Sequence, residues 1–353
     1  MKTRWTQFLG GFREHSLKLL LYSCALFLVE LLGLELFLRN ILAIVPEEYL
    51  LSYPHDDSIY VLLRLKKLNE QVSLPQPAVY VFGGSTMREA FLSDDEGIAR
   101  LLGARLGTPV QFSDFGTTGQ SVEDTGNLIA GVPINAKSLV IIGISNRRLA
   151  IPLDSGRFIP LTSALTTGGI SFYKLSAIYA FRFWLRLWWS SRYPTGDLLS
   201  KYSYQRFSYP LDMVLTPEDF EEHIADLKTV NDLLLQNLGQ NAKLLRVIIS
   251  YIKRQGAKVI LLEQPQEDLR VDVFKPTERL YLATVSRIVE EADVERWTAV
   301  TNPKLELSDY TTSAHFNKSG KVKFEAWFVD RVAQELSRPP FSFSSPKQHF
   351  MKK

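Results

Sequence analysis

The chain has 353 residues, of which 46% are hydrophobic and 22% are charged, a balance typical of a folded protein and unlike that of disordered or collagen-like chains. Its formal net charge is only +3, and it has neither a Gly-rich phosphate loop nor a zinc-finger spacing, so nothing indicates nucleic-acid binding. Cys24 is the one cysteine, which excludes an internal disulfide and a cysteine-based metal cluster.

The amino-terminal region predicts a membrane anchor. An uncharged run begins at residue 19, and apolar residues continue to 38, interrupted by Glu30 and Glu35. At about 1.5 Å per residue, roughly twenty residues just span a hydrocarbon core of about 30 Å. Basic residues dominate before the run, so we expect a single-pass protein with a cytoplasmic amino terminus and an extracytoplasmic remainder. A cleaved signal peptide and a buried amphipathic helix are the alternatives.

Four short apolar runs bounded by turn residues predict buried parallel strands. These runs span 78–82, 109–113, 138–144 and 258–264, and helical patterns lie between and after them. The alternation predicts an α/β protein with a flavodoxin-like, three-layer α/β/α arrangement, in which helices cover both faces of a central parallel sheet. Such sheets place their sites at the carboxyl ends of the strands.

The predicted organisation has four parts in chain order. They are the cytoplasmic amino terminus with the transmembrane anchor (1–45), a polar connector (46–75), the α/β domain (76–338) and a flexible tail (339–353).

One interval of the α/β domain, about 151–240, breaks the alternation and is predicted to be a helical insertion. Within it, residues 172–194 alternate aromatic and aliphatic side chains with Lys and Arg. Such a segment fits contact with a membrane interface, packing on the core, or an aromatic platform for sugars.

Small or polar residues follow each of the first three predicted strands. Ser85 follows Gly83 and Gly84 after the first strand, Gly119 lies in the turn after the second, and Asn146 follows the third. A serine hydroxyl is a candidate nucleophile, whereas a glycine amide and an asparagine side chain are candidate donors to a developing negative charge. Each feature alone is more typical of an ordinary turn or cap.

The best-placed base for such a serine is His315, which precedes the last predicted helix. Imidazole has the pKa that suits a general base near neutral pH. The other four of the five histidines lie before the anchor, in the connector, in the insertion and in the tail.

In this order, the four residues resemble the blocks that name the SGNH hydrolases, a division of the GDSL esterases and lipases. The resemblance covers about 76–336, with the insertion unmatched. It implies Ser85 as nucleophile and His315 as base, with an oxyanion hole formed by the Ser85 amide, the Gly119 amide and the Asn146 side chain. It also implies an acyl-enzyme that water or a sugar hydroxyl resolves, and neither a metal nor an organic cofactor.

The chain departs from the family pattern at the third catalytic position. Where the family usually has an Asp three residues before the histidine, this chain has Thr312. Asp309 is the nearest carboxylate, and a loop could bring it to the imidazole. Otherwise the site would be a Ser-His dyad whose His315 is held by a backbone carbonyl or by Thr312. Since an orienting Asp contributes up to about 10⁴ to turnover elsewhere, a slow or inactive enzyme is one alternative.

An anchored SGNH-like domain resembles the accessory proteins of alginate acetylation and teichoic-acid D-alanylation. This implies an extracytoplasmic esterase or O-acyltransferase for acylated cell-envelope polysaccharides, with a membrane O-acyltransferase as partner. The alternatives are a lipid-directed esterase, whose residues 172–194 would face the membrane, and a noncatalytic assembly or binding protein, for which Thr312 is the motive.

Overall fold

The computed structural model describes residues 76–153, 207, 209–216, 224–263, 275–298 and 304–338, together with 18, 20–30, 32–33, 61, 64–65 and 68. By its internal contacts the chain divides into two compact units, one of Met1–Ser52 with Gly169–Ser203 and the other of Tyr53–Gly168 with Tyr204–Lys353. The predicted aromatic segment 172–194 and the predicted tail 339–353 lie outside the described residues.

In the first unit, the described residues 20–30 form a helix whose large apolar side chains are exposed. Leu20, Phe27 and Val29 are 60%, 59% and 65% exposed, and Tyr22 is 76% exposed. Of the helices within the described ranges, none combines the length and the apolar composition that a bilayer crossing requires. The predicted anchor extends beyond residues 20–30 on both sides, and it stays a prediction.

The second unit contains a five-stranded, fully parallel sheet in the spatial order β2-β1-β3-β4-β5. This is the flavodoxin-like order. The chain adds β2 on one side of β1 and then β3, β4 and β5 on the other side, so the strand order switches between β1 and β3. The strands are β1 (Ala78–Phe82), β2 (Gln111–Asp114), β3 (Ser138–Ile144), β4 (Lys258–Glu263) and β5 (Glu295–Thr298).

Seven helices of this unit have bounds within the described residues. They are α1 (Ser85–Arg88), α2 (Asp95–Leu106), α3 (Val122–Gly131), α4 (Asn146–Ala150), α5 (Ile224–Arg254), α6 (Lys275–Ala292) and α7 (Lys318–Leu336). A short antiparallel hairpin of β6 (Tyr310–Thr312) and β7 (His315–Phe316) precedes α7.

The helices pack in two groups, one on each face of the sheet, as the sequence predicts. Helix α5 contacts α3, α4 and α6, whereas α7 contacts α2. Alternate residues of a strand point to opposite faces. Val79 and Val81 therefore share one buried cluster with Phe91, Phe324 and Phe328 on the α2 and α7 side. Aromatic edges pack closely there, with the Phe91 and Phe328 ring centroids 4.8 Å apart.

Three features differ from the sequence-based prediction. The strand β5 and the β6–β7 hairpin were not predicted, because their few residues lack a long apolar run. The 31-residue helix α5 continues through residue 240, so the predicted end of the insertion falls inside a helix. Gly239 costs helical stability but does not break the helix.

The predicted connector also packs on the second unit. Val61, Leu65 and Leu68 are buried, at the spacing of one helical face, and the described residues there are helical. The Arg64 guanidinium lies 2.9 Å from the Asp95 carboxylate. Part of the 46–75 interval is therefore a structural layer rather than a polar linker.

Candidate active site

Ser85 lies just beyond the carboxyl end of β1, an inner strand of the sheet. Strand β1 ends at Phe82, Gly83 and Gly84 turn the chain, and Ser85 is the first residue of the four-residue helix α1. The loop that follows β2 packs against this turn, since the Thr117 amide donates to the Gly83 carbonyl oxygen at 3.0 Å. The fold therefore presents the hydroxyl at the edge where parallel sheets place their sites.

Gly116 permits the close approach of these two loops. A Cβ at this position would come within 2.8 Å of the Arg88 amide nitrogen and 3.1 Å of the Arg88 Cα, which are backbone atoms that cannot move aside. Any other residue at 116 would therefore push the loop after β2 away from the serine turn.

His315 meets Ser85 across 230 residues of sequence. The distance from His315 Nε2 to Ser85 Oγ is 3.0 Å, within the range of a hydrogen bond between a base and its nucleophile. The structure thus brings together the two residues that the sequence singled out as nucleophile and base.

Thr312 occupies the other side of the imidazole. Its Oγ1 lies 2.9 Å from His315 Nδ1, and it also accepts the backbone amides of His315 at 3.1 Å and of Ala314 at 3.3 Å. A hydroxyl has two acceptor lone pairs and one proton. With both lone pairs engaged by amides, the remaining proton is directed to Nδ1, which favours the tautomer that carries its proton on Nε2.

This tautomer is the wrong one for a base. A base must accept the Ser85 proton at Nε2 and hold its own proton on Nδ1, the arrangement that an orienting carboxylate enforces. To act as a base, His315 must therefore move its proton from Nε2 to Nδ1, which the hydrogen bond from the Thr312 hydroxyl opposes. The site is a Ser-His dyad in which Thr312 holds the ring without supplying charge.

Asp309 does not contact the imidazole. Its carboxylate accepts the Glu306 amide at 2.9 Å, the Ser319 hydroxyl at 2.9 Å and the Lys323 ammonium at 2.7 Å, all of which lie in its own turn or in α7. Although burial opposes ionisation, these donors lower the Asp309 pKa. Of the two alternatives left by the sequence, the structure therefore shows Thr312 at His315 and gives Asp309 a structural role.

Gly119 lies in the loop after β2 and Asn146 begins the helix α4 after β3, and these two strands flank β1. Gly119 adopts a left-handed backbone with φ of 62°, which glycine tolerates without strain. The Asn146 Oδ1 accepts the Arg147 amide at 2.7 Å, which leaves the Nδ2 hydrogens uncommitted within the described part of the chain. Their joint action on one oxyanion stays a prediction.

Arg148 connects the loop of Gly119 to the helix that begins at Asn146, and it was not predicted from the sequence. It is 3% exposed, and its Nε donates to the Gln120 carbonyl oxygen at 3.2 Å. Its Nη atoms donate to Gly143 O, Thr125 Oγ1 and Gln120 Oε1. One buried guanidinium thus joins the residue after Gly119 to the helix that begins at Asn146.

Burial of this guanidinium is not neutral electrostatically. Desolvation lowers the pKa of Arg148 to about 9, and the nearby Asp124 opposes that shift. The group stays protonated at neutral pH, so the loops are held by a charged donor whose hydrogen bonds are stronger than those of a neutral side chain. Burial of an arginine at this position depends on long-range packing, which a local sequence pattern does not reveal.

His315 is a weak base in this environment. Desolvation is the main cause that lowers its pKa to about 4, and the charges of Lys321, Arg88 and Arg147 add to this, while Glu89 acts in the opposite direction. The imidazole is therefore neutral at pH 7, as a base must be, yet its affinity for the Ser85 proton is low.

Tyr209 covers one side of the imidazole. The centroids of the two rings are 5.2 Å apart and the rings are tilted by 43°. Tyr209 comes from the segment before α5, inside the predicted insertion, and it is 39% exposed. An unpredicted side chain therefore borders the catalytic pair.

Comparisons with known proteins give similarity at the level of solved structures. No family model and no curated protein matches the chain. Protein YXIM from Bacillus subtilis matches with a TM-score of 0.38 and 12% identity over 74% of this chain, but over only 57% of its own length. The lipase/acylhydrolase from Enterococcus faecalis matches with a TM-score of 0.36 and 10% identity over 74% of this chain and 97% of its own.

A catalytic mutant of an acetylxylan esterase from Geobacillus stearothermophilus matches with a TM-score of 0.38 and 13% identity. That match covers 72% of this chain and 94% of the esterase. At these scores the similarity says nothing about activity, which has to be argued from the side chains.

Proposed function

We propose that this protein is an SGNH-type serine esterase or O-acyltransferase. The observation that supports the proposal is the 3.0 Å contact between Ser85 Oγ and His315 Nε2 at the carboxyl end of β1. A hydroxyl that follows β1 of the parallel sheet and an imidazole in the β6–β7 hairpin, in hydrogen-bond contact, form the minimal unit of nucleophilic acyl transfer.

In the proposed reaction, His315 first adopts the tautomer protonated on Nδ1, and Ser85 Oγ then attacks the ester carbonyl carbon while its proton passes to His315 Nε2. The carbonyl oxygen becomes an oxyanion, which the Ser85 amide, the Gly119 amide and the Asn146 Nδ2 stabilise. Collapse expels the alcohol, which takes the proton from Nε2 and leaves the acyl group on Ser85. Water or a sugar hydroxyl then attacks the acyl carbon while its proton passes to Nε2, and the departing Ser85 Oγ takes that proton back, which releases the acid or the new ester.

For the substrate, we propose acyl esters of cell-envelope glycans, with a membrane O-acyltransferase as partner in acyl transfer. A lipid-directed esterase is the alternative based on residues 172–194, which lie outside the described residues. One observation favours a noncatalytic binding protein instead: Thr312 supplies no negative charge to stabilise an imidazolium.

We further propose that an uncleaved amino-terminal anchor holds the protein in the membrane, with the second unit outside the cytoplasm. The exposed apolar helix at residues 20–30 supports this proposal, because exposed apolar surface of this extent is unfavourable in water. Fusion of a reporter after residue 45 tests the topology. If the fused reporter were found in the cytoplasm, that result would contradict the proposal.

A fluorophosphonate probe tests the catalytic proposal on the full-length protein. We expect covalent labelling of the wild type and complete loss of labelling in Ser85→Ala, since the probe reacts only with an activated hydroxyl. Ser250→Ala, which removes an exposed serine on α5, is the matched control and should be labelled like the wild type. An unlabelled wild type, or labelling that persists in Ser85→Ala, would overturn the catalytic proposal in favour of the binding protein.

A further inference from the structure

The geometry points to Tyr209 as one wall of the subsite that holds the alcohol portion of the substrate, which we infer to be a pyranose ring. This inference rests on the proposed function, because it uses the direction from which an alcohol must approach the acyl-enzyme. It assigns that subsite to the insertion, which has no counterpart in the four motif blocks.

The chemistry fixes the position of the alcohol relative to His315. The same imidazole nitrogen protonates the departing alcohol and deprotonates the incoming one, so both must come within about 2.6–3.2 Å of Nε2. Because the two half-reactions are the reverse of each other, leaving alcohol and acceptor alcohol share one subsite. That subsite must lie beside the imidazole.

Tyr209 is the aromatic side chain placed there. Its ring is in contact range of the His315 ring, with the centroids 5.2 Å apart, and 39% of the residue remains exposed. A group bound at the imidazole edge therefore has a partly exposed aromatic side chain next to it. Aromatic rings combine an apolar face with a polar tip, which matches the C–H face and hydroxyl rim of a pyranose.

The segment that carries Tyr209 is held in place by the hairpin that carries His315. The Leu215 amide donates to Tyr310 O at 2.7 Å, and the Lys318 amide donates to Leu211 O at 2.8 Å. Leu215 is 3% exposed and belongs to the main core cluster. Tyr209 and the catalytic imidazole are thus fixed to the same structural element, as a preorganised subsite requires.

Two further apolar side chains of this segment are exposed. Met213 and Val214 are 39% and 49% exposed, whereas Leu215 is turned into the core. Lys321, by contrast, lies over the Phe207 ring at 4.2 Å and donates to the Glu89 carbonyl oxygen, so Phe207 is committed to packing. Of the two rings described in this segment, Phe207 and Tyr209, Tyr209 is therefore the one that remains available to a ligand.

The test compares two reactions of the same variants. A small fluorophosphonate has fluoride as its leaving group, so its labelling rate reports Ser85 and His315 without occupation of the alcohol subsite. Cleavage of an acetylated methyl pyranoside requires the subsite. In Tyr209→Ala we expect the labelling rate to stay within about twofold and kcat/KM for the sugar ester to fall at least tenfold, chiefly through KM. Tyr209→Phe should retain activity within about threefold, since the ring remains.

Tyr251→Ala is the control, since Tyr251 lies near the end of α5, close to the start of β4 and so at the opposite edge of the sheet. The subsite is overturned by an equal fall in both reactions of Tyr209→Ala, which would mean that the ring only supports His315. It is also overturned by an unchanged kcat/KM, or by a labelled wild type that cleaves the sugar ester no faster than ethyl acetate. A wild type without labelling would instead overturn the proposed function itself.

Discussion

The two sides of the candidate site are built in different ways. On the side of Gly119 and Asn146, a buried cation, Arg148, lies in the helix that begins at Asn146 and donates hydrogen bonds to Gln120, Thr125 and Gly143. On the side of His315, a neutral hydroxyl, that of Thr312, holds the imidazole. A charged side chain therefore supports the side of the proposed oxyanion donors, whereas only a neutral hydroxyl supports the proposed base.

The largest expected effect comes from the oxyanion side. Arg148→Met leaves Gly143 O, Gln120 O and Thr125 Oγ1 without their donor, and we expect unfolding free energy to fall by about 3 kcal/mol. Displacement of the loop donors should reduce the fluorophosphonate labelling rate about a hundredfold, the loss typical of one oxyanion donor. Urea unfolding and labelling kinetics measure the two effects.

The matched control is Arg246→Met, which removes a partly exposed arginine in an ion pair with Glu291 at 2.7 Å and should cost less than about 1 kcal/mol. If Arg148→Met were destabilised but labelled at the wild-type rate, Arg148 would support the fold alone and not the site.

The base side should respond in the opposite direction. Thr312→Asp places a carboxylate where the imidazolium forms and accepts the Nδ1 proton, so we expect the labelling rate at pH 7 to rise about tenfold, a fraction of the effect of an orienting Asp elsewhere. Thr312→Asn has nearly the same shape without the charge and should give no such rise. A rate in Thr312→Asp at or below that of Thr312→Asn would contradict the assigned role of Thr312.

The pH profile separates the same two variants. Activity requires neutral His315, whose pKa of about 4 in the wild type predicts a rate that is constant near neutral pH and falls as the pH approaches 4. A carboxylate at 312 stabilises the imidazolium and raises this pKa, so the acid limb of the labelling rate should move to higher pH. A wild-type acid limb near 6.5 would show that His315 is not desolvated as the structure indicates.

The smallest expected effect is that of Asp309→Asn. Because the Asp309 carboxylate binds Lys323, Ser319 and the Glu306 amide, its loss should leave the labelling rate within about threefold and lower stability. The ionised form carries this stability, which is therefore lost as the pH falls through the lowered pKa of the carboxyl. A hundredfold slower labelling would make Asp309 a functional partner of His315.

The sequence predicted the fold well where local patterns are strong. Strands β1 and β3 have the predicted bounds, because long uninterrupted apolar runs occur in strands that are buried on both faces. Strand β5, with the four residues Glu-Arg-Trp-Thr, carries only one buried side chain and gives no such pattern. Its pairing with β4 depends on neighbours in space.

The site shows the same division. Ser85 and His315 could be identified from their order relative to the strands, since topology brings the carboxyl ends of parallel strands together. The choice between Asp309 and Thr312 could not, because it depends on the hairpin geometry that places Thr312 Oγ1 at 2.9 Å from Nδ1. Arg148 and Tyr209 act through contacts with distant segments, and their own sequence neighbourhoods resemble ordinary helix and loop.

The hydroxyl of Thr312 affects how long the proposed acyl-enzyme would last. Once Ser85 is acylated, hydrolysis of the acyl-enzyme needs His315 as a base. Because His315 is a weak base, hydrolysis would be slow and the acyl-enzyme long-lived. An alcohol bound against Tyr209 would be held close to the acyl group, and it would therefore react faster than water, which is not held in position. Such an acyl-enzyme would keep its acyl group until an acceptor alcohol binds, instead of losing the group to hydrolysis.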